Sequence, residues 1–169
     1  MLSTSLPAAA RSLPRALAPS IRASIIIHRR SFTPLPARLR PQSTMADQTV
    51  IFTKNAPAAL GPYSQAIKTP TAIYCSGQIP LTPDGTLIEG TVGEKTAQVC
   101  KNAQAVLEEA GSSLSKVVKT TIFLSDMGLF ADMNAEYEKW FSHKPARSCV
   151  AVKTLPKNVD VEIECIALP

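Results

Sequence analysis

Charge along this 169-residue chain breaks sharply at Met45. Residues 1–45 hold seven arginines (Arg11, Arg15, Arg22, Arg29, Arg30, Arg38, Arg40), no lysine, no acid, and six of the fourteen prolines. Residues 46–169 hold 11 basic and 13 acidic side chains, a net of −2. The formal +5 of the whole therefore belongs to its first quarter. Prolines at 7, 14, 19, 34, 36 and 41 interrupt any long helix there. Folding falls to residues 46–169, a length that fits one domain with one core. A basic chain invites a nucleic-acid reading, but the foldable part is mildly acidic, so no nucleic-acid partner is expected.

An Arg-, Ser- and Ala-rich segment without acids predicts a mitochondrial transit peptide over residues 1–45, read by the import machinery and delivering the protein to the matrix. A secretory signal is the competitor, but its strongest apolar run, Ile25-Ile26-Ile27, is flanked by Arg22 and by His28-Arg29-Arg30. That is too short for an apolar signal core. No stretch approaches the roughly 20 apolar residues of a membrane span. Cleavage is expected between Arg30 and Met45, and a second start at Met45 would yield a cytosolic form. A disordered basic tail for an acidic partner is the alternative.

Downstream, Thr49–Phe52 and Ala72–Cys75 are β-branched and aromatic runs of strand type, separated by a loop that Ala56-Pro57 and Gly61-Pro62 mark. Pro83-Asp84-Gly85 is a turn. Thr91 and Glu94 have capping-box spacing, and Ala97, Cys100, Ala103, Val106, Leu107 and Ala110 recur at helical intervals down to Gly111. Val117–Leu124 reads as a strand. Asp126 is expected to cap a second helix with Phe130, Met133, Tyr137, Trp140 and Phe141 on its apolar face. Ser148–Val152 is a further strand, and Val159–Cys165 alternates strictly, placing Glu162 and Glu164 opposite Val159, Val161, Ile163 and Cys165. The order predicts an α+β fold, a mixed or antiparallel sheet with two helices on one face. Its other face is exposed or covered by self-association.

Absences narrow the chemistry. His143 is the one histidine outside residues 1–45, Cys75, Cys100, Cys149 and Cys165 form no C-x-x-C pair, and no glycine-rich phosphate loop occurs. A site with neither metal nor cofactor is expected. Arg147 stands at the mouth of a strand, where a fixed guanidinium takes a carboxylate by two parallel hydrogen bonds. Glu162 stands on a strand face, and Asn134 lies one turn from Phe130 and Tyr137, where an amide needs a partner. Each also has an ordinary structural reading: a surface ion pair, a solvated strand face, a packing hydrogen bond.

Gly61-Pro62-Tyr63-Ser64, Ser76-Gly77-Gln78-Ile79-Pro80, Asn134-Ala135-Glu136-Tyr137, Pro145-Ala146-Arg147-Ser148-Cys149-Val150 and Val161-Glu162-Ile163-Glu164-Cys165-Ile166-Ala167 follow one another in order. Together they resemble the RidA (YjgF-type) reactive-intermediate deaminases, and with the leader the mitochondrial member of fungi and other eukaryotes. The resemblance implies a chorismate-mutase-like α+β fold, a homotrimer with sites between subunits, and hydrolysis of 2-imino acids such as 2-iminobutanoate and 2-iminopropanoate to 2-oxo acids and ammonia. Such imines arise from enamines released by pyridoxal-phosphate enzymes such as threonine dehydratase, and their removal protects other such enzymes. By the same resemblance Arg147 binds the substrate carboxylate and Glu162 positions and activates water. Main chain around Cys149 and Ser76-Gly77 supplies hydrogen bonds, and Tyr63 and Asn134 shape the pocket. The Cys149 thiol itself reads as a packing group. The run Trp140–Lys144 is shorter than in bacterial relatives, which alters the expected pocket rim.

Two other functions compete: ribonuclease or translation-inhibitor activity, also attached to this family, and a non-catalytic trimeric carboxylate binder or chaperone-like scaffold. The acidic balance and the lack of a Lys/Arg run oppose the first. Glu162, which a mere carboxylate binder could omit, opposes the second.

Overall fold

The computed structural model describes residues 47–169; the transit peptide, its cleavage point and the Met45 start lie outside the described residues. Six strands form one mixed sheet. β1 (Thr49–Ile51), β2 (Ala66–Lys68) and β3 (Ile73–Gln78) pair antiparallel in succession. β6 (Val161–Ala167) inserts between β3 and β4 (Val117–Leu124), antiparallel to both, and β5 (Ala146–Ala151) runs parallel to β4 at the edge. Parallel neighbours need a long crossover, and α2 (Phe130–Trp140) supplies it between β4 and β5. α1 (Val92–Glu109) carries the chain from β3 to β4 across the intervening position that β6 fills.

Side-chain alternation divides the sheet into two unlike faces. One buries Ile73 and Cys75 of β3, Thr120, Ile122 and Leu124 of β4, and Val161, Ile163, Cys165 and Ala167 of β6. Val99, Cys100, Ala103, Val106 and Leu107 of α1 and Met133 and Tyr137 of α2 complete that core. Tyr137 Oη lies 2.8 Å from Thr120 Oγ1, which ties α2 to the same face as α1. Tyr74, Thr121, Phe123, Val150, Glu162 and Glu164 project from the other face, none of them fully buried. A smaller cluster of Ile79, Leu81, Leu155 and Val159 gathers around the loops after β3 and β5.

Most elements follow the sequence pattern. Thr91 caps α1 in a full capping box with Glu94, and Gly111, at φ 76°, follows its end. Three differences have physical reasons. β2 is only three residues long, too short to show a period. Asp126 caps not α2 but the 3₁₀ turn Met127–Leu129, through a 2.6 Å bond from Gly128 N–H, and that turn runs on into α2. β6 begins at Val161 rather than Val159, because the 3₁₀ turn Pro156–Asn158 holds the chain out of the sheet just before it.

The loop between β1 and β2 is shaped by one buried amide. Gln65 Oε1 accepts from Thr53 N–H at 2.7 Å, and its Nε2 donates to Thr53 O at 3.1 Å and Pro57 O at 2.8 Å. Substituting Gln65→Leu leaves these buried backbone groups unpaired and is expected to cost about 2–3 kcal/mol in urea unfolding. The same variant should loosen the loop that carries Tyr63, read as faster amide exchange at residues 53–64.

Candidate active site

Two groups of side chains draw attention, one on each face of the sheet. The first is built on α2 and β5. Phe130, Asn134 and Tyr137 fall on one face of α2 by helical spacing, and Arg147, paired in register with Thr120, points to that side. Arg147 Nη1 donates to Asn134 Oδ1 at 2.7 Å, and its Cζ lies 4.9 Å from the Tyr137 ring centroid and 5.6 Å from that of Phe130. Cation–π contact and one hydrogen bond thus fix an exposed guanidinium while its other N–H groups make no bond to described residues. A cavity of about 280 Å³ adjoins it, with Lys144 as a second cation on the wall. Cys149, two residues along β5, is half-buried, and burial pushes its thiol pKa up against the opposing pull of Arg147. It stays protonated at neutral pH and packs on the core, as its bland reading had it.

The second group lies on the open face. The register between β3 and β6 shifts between Cys75 and Gln78, which sets Ser76 and Gly77 together opposite Glu164. Glu162 folds over Gly77: a Cβ there would overlap its carboxylate, with Cδ only 2.8 Å away. The carboxylate is half-buried and has no hydrogen bond or ion pair with a described residue. Its pKa is raised, first by burial and then by Glu164. Glu162, Glu164, Ser76, Gly77, Tyr63, Leu60, Pro62 and Ile79 share a cavity of about 510 Å³ whose walls carry no cation. Tyr63 Oη accepts from Leu60 N–H at 3.0 Å and so stiffens its own loop.

Of the expected site residues, Arg147, Asn134 and Cys149 come together, and so do Glu162, Tyr63, Ser76 and Gly77. The two sets do not meet within one chain, because Arg147 lies on the helix side of β5 and Glu162 on the open side of β6. The donors of Ser76 are engaged within the chain. Its N–H donates to Gln65 O at 3.0 Å and its Oγ to Ser64 O at 2.6 Å, so its donors hold the loop rather than await a ligand. Gly77 acts through the side chain it lacks. Phe130 and Tyr137, expected only as part of the apolar face of α2, and Lys144 join the Arg147 group; the i, i+4, i+7 spacing of Phe130, Asn134 and Tyr137 carries the signal for the first two. Among the described residues, no group of three or more His, Cys, Asp or Glu could hold a metal ion.

The family model described as Endoribonuclease L-PSP matches residues 53–169. Protein HMF1 of Saccharomyces cerevisiae is 52% identical over 120 residues, covering 70% of this chain and 93% of its own. The mitochondrial protein mmf1 of Schizosaccharomyces pombe is 48% identical over 172 residues, covering 99% of this chain and 94% of its own. The crystal structure of the YjgF gene product from E. coli superposes with a TM-score of 0.68 at 43% identity, over 71% of this chain and 98% of that one.

Two outcomes follow from the seat of Glu162. Gly77→Ala displaces only the flexible end of that side chain. Stability should change by less than about 1 kcal/mol, while activity at this site falls by roughly 10–100-fold, since a 1 Å misplacement costs about that much. Because folding raises the Glu162 pKa, the protonated form is favoured by the fold, and ionisation at neutral pH destabilises it. In the dissociated chain, Glu162→Gln should therefore lift the melting temperature by roughly 1–3 °C at pH 7–8, with the gain vanishing below about pH 4.

Proposed function

The chain belongs to the RidA (YjgF-type) family, whose family model carries the description Endoribonuclease L-PSP, and on that premise we propose that it hydrolyses reactive 2-imino acids to 2-oxo acids and ammonia. Glu162 carries this reading: a half-buried carboxylate of raised basicity, unpartnered in the chain, facing a cavity without a cation. Such a group suits activation of water, and it has no evident structural use.

The geometry of one chain supplies half a site on each face, so the working site lies between protomers of a homotrimer, with Arg147 of one copy facing Glu162 of the next. The open face, with exposed Tyr74 and Val150, supports this assembly. Arg147, held by Asn134, Tyr137 and Phe130, grips the substrate carboxylate through its remaining N–H groups. Glu162 accepts a proton as the water oxygen bonds to C2, the C=N electron pair moves to nitrogen, and Glu162 returns its proton to that nitrogen. The carbinolamine then breaks its C–N bond as its hydroxyl proton passes to the amino nitrogen, which leaves as ammonia while the 2-oxo acid forms. One water is consumed and one ammonia released. An imine is already electrophilic, so positioning and base assistance suffice. Substrates such as 2-iminobutanoate and 2-iminopropanoate fit this chemistry.

Residues 1–45 are proposed to direct the protein to the mitochondrial matrix, supported by a match to the mitochondrial fission-yeast relative over 99% of the chain. A start at Met45 would leave a cytosolic form.

The description Endoribonuclease L-PSP favours ribonuclease activity as a second reading. Against it, the His143 ring nitrogen Nε2 sits 2.9 Å from Val117 O, engaged with the backbone, and the Glu162 cavity would repel phosphates.

The test generates 2-iminobutanoate with a threonine dehydratase and follows its disappearance. Wild type should outpace buffer, with kcat/KM falling on the acid side as Glu162 is protonated. Arg147→Ala should lower kcat/KM by about 10–100-fold, mainly through KM, and Glu162→Gln by about 10²–10⁴-fold through kcat. A wild type no faster than buffer overturns the proposal. RNA cleavage that persists through repurification and is lost in Arg147→Ala would favour the second reading.

A further inference from the structure

Glu162 shares its cavity with a second carboxylate that water activation does not use. Glu164 stands two residues along β6, about 7 Å on by strand geometry, projects from the same face and lines the same cavity of about 510 Å³. It is exposed and has no hydrogen bond or ion pair with a described residue. Lys119 is the nearest cation in register: it lines the adjoining cavity of about 320 Å³ together with Glu164 and Thr121. Its ammonium makes no ion pair with Glu164: Nζ is turned to Thr120 O at 2.8 Å and Ser148 Oγ at 3.2 Å. Tyr63 is the remaining titratable group on the cavity, and its hydroxyl is engaged with Leu60 N–H. Glu164 therefore has no ion-pair partner within the chain, and its charge adds to burial in raising the pKa of Glu162.

We propose that Glu164 sets the side-chain specificity of the site, excluding 2-imino acids that carry a second carboxylate. This rests on the deaminase reading above. With the substrate carboxylate on Arg147 of a neighbouring protomer and C2 turned to Glu162, the group on C2 is left to the remaining walls. Those are apolar at Leu60, Pro62, Tyr63 and Ile79, and charged at Glu164. The side chains of 2-iminobutanoate and 2-iminosuccinate differ by little more than a methyl exchanged for a carboxylate, so the pair isolates the electrostatic contribution. Two like charges about 7 Å apart near a protein surface oppose binding by roughly 10–50-fold.

The experiment forms both imines in situ with flavin amino-acid oxidases, acting on 2-aminobutanoate and aspartate with catalase present, and compares kcat/KM for the two in wild type, Glu164→Gln and Glu164→Asp. The ratio is the readout because any change in Glu162 basicity affects both substrates alike. Wild type should prefer 2-iminobutanoate by more than about tenfold, Glu164→Gln should shrink that preference about tenfold, and Glu164→Asp should keep most of it. Raising salt from about 0.05 to 0.5 M should narrow the preference of wild type but not that of Glu164→Gln. A ratio unchanged in Glu164→Gln, or equal losses for both substrates, overturns the assignment. A wild-type preference insensitive to salt overturns it as well, without recourse to any variant. Inactivity of wild type on 2-iminobutanoate strikes instead at the deaminase reading, so the two failures are separable.

Discussion

Everything that could do chemistry in this protein depends on where β6 lies. The last strand of the chain enters the middle of the sheet, between β3 and β4, and pairs with both. Its odd positions, Val161, Ile163, Cys165 and Ala167, are then committed to the core under the two helices. Its even positions, Glu162 and Glu164, are held on the opposite face by hydrogen-bond ladders on either side. A one-residue slip would bury both carboxylates beneath α1 and expose the core row, so register is fixed by the free energy of the whole interior. Central placement gives the acids a stiffness that an edge strand or a loop would not.

The cationic half is built by a different logic. β5 is an edge strand, and Arg147 on it is exposed, so its side chain would sample many rotamers if left alone. Asn134 and the rings of Tyr137 and Phe130 restrict it. Tyr137 is itself anchored to β4 through Thr120, and burial raises its pKa, keeping its hydroxyl un-ionised as a hydrogen-bond partner. Positioning thus runs from the sheet to the helix and back to the arginine, and α2 serves both as crossover and as template.

How much of this was legible depended on the range of the interaction. The capping box at Thr91 and Glu94, the extent of β4 and the two-faced β6 follow from spacing within a few residues, and all were readable. β2 was not, because three residues show no period and its existence depends on pairing with β1 and β3. Gln65 looked like an ordinary polar residue beside a loop, yet it binds backbone groups 8 and 12 positions away. Candidate site residues were named through motif order, whereas their separation onto two faces needed the sheet order, which places β5 outside β4 and β6 inside it. The acceptors of the Ser76 donors were not legible either, since they come from the neighbouring loop.

That separation bears on why such a chain should associate at all. A monomer leaves the open face exposed, with Tyr74 at 49% and Val150 at 45% of full exposure. It also leaves Glu162 and Glu164 facing a cavity with no cation, and Arg147 without an ion pair in its own cavity. Bringing the edge of one copy against the open face of the next would bury the apolar residues and bring the unlike charges into range in one step. Neither contribution requires the substrate, so assembly and site formation would share one interface. In the assembled site a carboxylate substrate would screen Arg147 from Glu162, and an unoccupied site would keep the two in mutual attraction. The second acid, Glu164, then matters most for what surrounds C2, where no cation of the same chain balances it.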